Sequence, residues 1–165
     1  MTESTRAPEE FQSITPQLVV RGAARAIDFY RRAFGASELL RNAAPDGERI
    51  MHAELLLGGS RFLLHDEFPD EGVVGPTALG GTPVTLHLYV KDADATFRRA
   101  VDAGAEVVMP LEDAFWGDRY GILRDPFGHR WSVASRLEDL SPAALKARAA
   151  AWAASATPRG GHPTA

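Results

Sequence analysis

The chain is predicted to be α+β, built from two tandem βαβββ modules, and three features of the sequence carry that expectation. The stretch LVVRGAARAIDFYRRAFGASELL (18–40) is echoed by LYVKDADATFRRAVDAGAEVVMP (88–110). Each copy reads as a strand, a basic or polar junction, an amphipathic helix, a glycine and a second strand. Each is followed by a hairpin pattern, MHAELLLGGSRFLLHDE (51–67) in the first and RYGILRDPFGHRWSVAS (119–135) in the second. The offset of about 70 residues is too long for a solenoid period, so the repeat marks two modules rather than an array.

Each element has a local reason. In the first helix Ala23, Ala26, Ile27, Tyr30 and Phe34 recur at helical spacing, and Gly35 is placed to end it. In the second, Asp92 is suited to the N-cap; Ala93, Phe97, Ala100 and Val101 form the apolar stripe and Gly104 closes it. PVTLHLYVKD (83–92) alternates throughout. Thr85, His87 and Tyr89 go to one face, and Val84, Leu86, Leu88 and Val90 to the other. Gly58-Gly59 and Asp125-Pro126-Phe127-Gly128 supply the hairpin turns. Ser141 as N-cap and Pro142 at the first helical position open a C-terminal helix, with Leu145, Ala149 and Trp152 on one face awaiting a docking surface.

The predicted organisation is a flexible lead (1–12), a first module (13–67), a Gly/Pro-rich linker (68–83), a second module (84–137), the C-terminal helix (138–155) and a disordered tail (156–165). The 165 residues are 45% hydrophobic and 24% charged with a formal charge of -4, the balance of an ordinary globular domain. No basic stripe points to nucleic acid, and no apolar run approaches the ~20 residues that span a bilayer. The N-terminus lacks the basic and apolar regions of a secretory signal, so a cytoplasmic location is expected. The absence of cysteine removes disulfides, a thiol nucleophile and thiolate metal sites.

Together, AIDFYRRAFGA (26–36) and FWGDRYGILRDPFGHRWSVAS (115–135) resemble the vicinal oxygen chelate superfamily, which includes glyoxalase I, bleomycin- and fosfomycin-resistance proteins and extradiol dioxygenases. The resemblance covers about residues 14–136. It implies curved mixed half-barrel sheets with helices outside. In metal-dependent members it also implies a metal held by one ligand from the first and one from the last strand of each module. Those positions fall here on Thr15, Leu63, Thr85 and Ser132, where His and Glu would be required. Hydroxyls and a leucine do not supply the imidazole or carboxylate donors of a divalent transition metal, so no metal centre and no cofactor is expected there. A divalent ion on His52, Glu54, His65 and His87 stays a chemical possibility without support from spacing.

The same faces are polar. Thr15 and Gln17 on the first strand, His52 and Glu54 on the third, His65 beside Leu63, and Thr85, His87, Tyr89 and Ser132 in the second module could line one cavity. His87 has three open roles: a hydrogen-bonded histidine, a substrate contact or acid/base, and an unconventional metal ligand. Glu54 and Tyr89 are the other acid/base candidates. In DAFWGDRYG (113–121), Trp116, Arg119 and Tyr120 could stack on or pair with a planar or anionic ligand. Alternatively, Asp118 and Arg119 form a local ion pair and Trp116 plugs the barrel. His129, in a turn, is expected to be exposed.

The expected function is metal-independent binding of a small organic molecule by a homodimer, as in drug-sequestering members of the family. The alternative is a lyase, isomerase or dioxygenase with a rearranged metal site.

Overall fold

The computed structural model describes residues 11–155. The first module contains β1 (Gln17–Val20), α1 (Ala23–Phe34), β2 (Ser37–Ala43), β3 (Ile50–Leu57) and β4 (Ser60–Asp66). The second contains β5 (Thr85–Tyr89), α3 (Ala93–Asp102), β6 (Glu106–Asp113), β7 (Asp118–Arg124) and β8 (Arg130–Arg136). Between them lie a 3-10 turn (Pro69–Glu71) and the single-turn helix α2 (Pro76–Leu79), and α4 (Pro142–Ser155) follows. The flexible lead and disordered tail expected at 1–12 and 156–165 fall outside the described residues, apart from residues 11 and 12.

Each module forms its own four-stranded sheet, in the orders β1-β4-β3-β2 and β5-β8-β7-β6. The first strand of each module runs parallel to its last, while the remaining neighbours are antiparallel. A parallel pair needs a long crossover, and α1 and α3 provide it. Alternation along the strands sends Leu18, Val20, Leu55, Phe62 and Leu64 in the first sheet, and Leu123, Trp131 and Val133 in the second, into one core with the helices. No closed barrel forms among the described residues.

The two helices start differently. α3 is capped locally as expected, with Asp92 accepting from the Ala95 N–H at 2.9 Å. α1 has no capping side chain of its own. Asp66 at the end of β4 instead receives the N–H groups of Gly22 and Ala23 on Oδ1 and that of Ile50 on Oδ2, each at 2.8 Å. That places a buried carboxylate at the positive end of the helix and ties β3 and β4 to it.

Tyr30 of α1 is fully buried and packs against Phe62 of β4 and Trp131 of β8, at ring-centroid distances of 5.5 and 5.4 Å. The modules therefore share an aromatic interior, with α1 and α3 in contact. α4 buries no residue and meets the domain through Trp152, whose ring lies 5.2 Å from that of Phe115, and through the Arg148–Glu138 ion pair. Its Leu145 and Trp152 are 39% and 57% exposed. The apolar face read from the sequence is thus uncovered in the single chain.

Candidate functional site

The helix-free face of the second sheet carries the richest chemistry. Strand pairing aligns His87 with Ser132 and Ser132 with Ile122; Tyr89 and Tyr120 both align with Ala134. Side chains at aligned positions share a face, so three strands present His87, Tyr89, Tyr120 and Ser132 together. His87 Nδ1 lies 2.7 Å from Ser132 Oγ, and Ser132 is 1% exposed. The imidazole stacks on Tyr120 at 6.0 Å and meets the Tyr89 ring edge-on at 4.6 Å. Trp116, from the β6–β7 turn, extends this wall with its ring 5.3 Å from Tyr120.

One carboxylate organises the rim. Asp118 is 1% exposed, and its Oδ2 accepts from Tyr89 Oη at 2.7 Å and from Trp116 Nε1 at 3.0 Å. Its Oδ1 accepts from Arg136 Nε at 2.6 Å. Burial pushes the Asp118 carboxyl up, but bonds from Tyr89, Arg136 and Trp116 outweigh it and hold the group below the usual carboxylate range. Asp118 and Arg136 were not among the residues expected at the site. Alternation could have found them: Asp118 shares a strand face with Tyr120, and Arg136 with Ser132.

A cavity of about 680 Å³ opens beside this wall, bounded by residues 12–16, the β3–β4 turn and β5. Thr85, His87 and Tyr89 line it, joined by Gln12 from the lead and by Arg61 from the first module. Arg61 Nη1 donates to Glu54 Oε2 at 2.9 Å, and Glu54 Oε1 is 3.4 Å from His52 Nε2. Glu54 and His52 thus stand behind Arg61 rather than in the cavity, which Arg61 alone of this group reaches.

Other expected site residues go elsewhere. Thr15 precedes β1, turns its hydroxyl to the Gln12 carbonyl at 3.0 Å and does not line the cavity; nor does Gln17. His65 donates from Nδ1 to the Asp66 carbonyl at 2.7 Å. Arg119 lies on the opposite face of β7 from Tyr120, donating to Asp94 of α3 at 2.9 Å and to Asp113 at 3.0 Å. The Asp118–Arg119 pair does not form, because neighbours on a strand point to opposite faces. His129 is half-buried rather than exposed, its Nε2 donating to the Val19 carbonyl at 3.0 Å.

The four positions at which the sequence resemblance implies metal ligands are chemically unsuited to one. Leu63 has no donor, the Thr15 hydroxyl serves a backbone carbonyl and Ser132 Oγ is engaged by His87. Among the described residues no three His, Cys, Asp or Glu side chains converge. The residues present do not fit the group.

The model of the Glyoxalase/Bleomycin resistance protein/Dioxygenase superfamily matches residues 12–133. The chain belongs to this superfamily. An uncharacterized protein of Mycobacterium bovis is 50% identical over 132 residues, spanning 78% of this chain and 86% of that one. The X-ray structure of the gene product At5g48480 of Arabidopsis thaliana is similar at 33% identity and a TM-score of 0.61, covering 75% of this chain and 98% of that one. TioX from Micromonospora sp. ML1 is 32% identical with a TM-score of 0.59, covering 79% of this chain and all of that one (100%). The superfamily frame accounts for the parallel pairing of first and last strands in both modules. Among the described residues no helix is long and apolar enough to cross a membrane.

Proposed function

We propose that this superfamily member binds a small organic molecule without a metal ion, on the helix-free face of the second sheet. The observation that carries the reading is the Ser132–His87 contact at 2.7 Å, set within rings from Tyr89, Tyr120 and Trp116. An aromatic wall with a few fixed polar groups selects a flat, partly polar ligand, because stacking supplies affinity and the polar groups supply orientation. Arg61, across the cavity, adds a cation for an anionic substituent.

The face is open on one side, and Tyr89 remains 53% exposed. A second copy of the chain covering it would form the homodimer expected from the sequence, and the uncovered α4 offers additional surface. A catalytic variant of the reading rests on His87. With Nδ1 held by Ser132, the ring lines the cavity and can exchange a proton with a bound ligand.

The test is a thermal-shift and calorimetric screen of planar drugs, catechols and thiol–methylglyoxal adducts against the wild type, His87→Ala and Tyr120→Ala. Elemental analysis of protein prepared without chelator accompanies it. Ligand binding lost in both variants at unchanged melting temperature supports the reading. Stoichiometric Zn, Ni, Mn or Fe in the purified protein overturns its metal-free part. Turnover lost in His87→Ala with binding retained makes the protein an enzyme.

A further inference from the structure

A second cavity, of about 290 Å³, lies on the helix side of the molecule, where α1, the linker and the β7–β8 turn meet. Arg25, Phe29 and Arg32 enter it from α1, Arg21 from just before the helix, Thr77 from α2 and Phe127 from the turn. Its floor is aromatic, with Phe29 and Phe127 buried and their rings 6.1 Å apart. Its walls are cationic, and no Asp or Glu lines it.

Two of the guanidinium groups are held in place. Arg21 Nε donates to Glu67 Oε2 at 2.7 Å, while Glu67 Oε1 accepts from the Gly75 N–H at 2.9 Å. Arg25 Nη2 donates to the Arg21 carbonyl at 3.2 Å. That fold-back needs Gly22: its φ is +92°, and a Cβ there would stand 2.8 Å from Arg25 Nε. Thr77 Oγ1 donates to the Phe127 carbonyl at 3.2 Å and secures the opposite wall. Three arginines thus face one engaged carboxylate, which leaves a surplus of two positive charges. The surplus is local, because the chain as a whole carries -4.

A surplus of two cations next to an aromatic floor matches a dianionic head with a small organic group. A phosphate monoester carries about −1.5 to −2 at neutral pH and accepts several hydrogen bonds from arginine. The cavity is at the lower end of the ~300–1,000 Å³ range of small-molecule pockets, so the ester is small. An extended polyanion would meet repulsion from the acidic remainder of the surface. We propose that this seam is an oxyanion site that takes the phosphate group of a small phosphomonoester. Its lining joins α1 of the first module to the hairpin turn of the second, so occupancy clamps the modules together.

The full chain is titrated with methyl phosphate, inorganic phosphate and acetate at constant ionic strength, following the Gly22 and Thr77 amides and the Arg25 side-chain N–H by ¹H–¹⁵N NMR. Methyl phosphate is expected to give saturable shifts, weakened about tenfold by Arg32→Ala or by Arg25→Ala. Arg31→Ala, an arginine outside the cavity and 3.8 Å from Asp28, leaves the affinity unchanged. All three side chains are exposed, so the variants fold. Non-saturating shifts, equal weakening by Arg31→Ala, or acetate binding as tightly as methyl phosphate overturns the proposal. Saturation by inorganic phosphate alone overturns the ester.

Discussion

Tyr30 Oη donates to Asp125 Oδ2 at 2.7 Å, joining residues 95 apart in the chain. Asp125 Oδ2 also accepts from Trp131 Nε1 at 2.9 Å, and its Oδ1 accepts from the backbone N–H groups of Phe127 and His129, each at 2.9 Å. The helix motif of the first module is thereby bonded to the turn motif of the second, inside the shared aromatic core. Both motifs secure the fold at this point.

Tyr30→Phe is expected to cost about 1.5–3 kcal/mol, the range for a hydrogen bond to a charged acceptor. Asp125→Ala leaves three further donors unpaired and costs on the order of 3 kcal/mol or more. Urea unfolding followed by far-UV circular dichroism measures both. A Tyr30→Phe chain as stable as the wild type would show that the bond contributes nothing.

The same pair predicts an alkaline limb. Burial, followed by the nearby Asp125 charge, raises the Tyr30 hydroxyl well above its ordinary value of 10.0. A group whose folded value is raised contributes stability below its unfolded value and loses it as pH climbs beyond. Urea midpoints should therefore fall above about pH 10, and more shallowly in Tyr30→Phe, which has no hydroxyl to ionise.

Asp118 predicts the acid limb. Its folded value is depressed below the ordinary 3.8, so its contribution is present above that pH and is lost as pH falls through it. Stability should decline below about pH 4 in the wild type and decline less steeply in Asp118→Asn. Because the carboxylate also fixes Tyr89, Trp116 and Arg136, Asp118→Asn should weaken ligand binding at neutral pH as well. Calorimetry with any ligand found in the screen measures this.

Dialysis against EDTA, or addition of Zn²⁺, Ni²⁺ or Mn²⁺, should leave the melting temperature unchanged. A tightly bound native ion at one hundred times its dissociation constant would contribute about 2.7 kcal/mol and move the melting temperature visibly.

Gly117 should not tolerate alanine. Its φ is +93°, and a Cβ would stand 2.7 Å from the Glu138 carbonyl oxygen. The Gly117 carbonyl accepts from the N–H groups of Leu137 and Glu138, so the turn carrying Trp116 and the approach to α4 are bound together. Gly117→Ala should cost about 1–3 kcal/mol in backbone strain and speed amide exchange across 137–155. Exchange confined to wild-type rates there would overturn the coupling.

The sequence by itself determined the two modules, the helices α1 and α3, the hairpin order and the donor types present at Thr15, Leu63, Thr85 and Ser132. These depend on periodicity, turn chemistry and donor type, which are local properties of the chain. Local rules also indicated that Thr85, His87 and Tyr89 share a face, and could have excluded the Asp118–Arg119 pair. Only the tertiary structure decided that Ser132 meets His87, that Asp118 gathers Tyr89, Trp116 and Arg136, and that Arg61 rather than Glu54 reaches the cavity. Spacing along the chain says which side chains share a face. Strand register and the packing of separate segments say which of them touch, and those are set by the burial of the whole core.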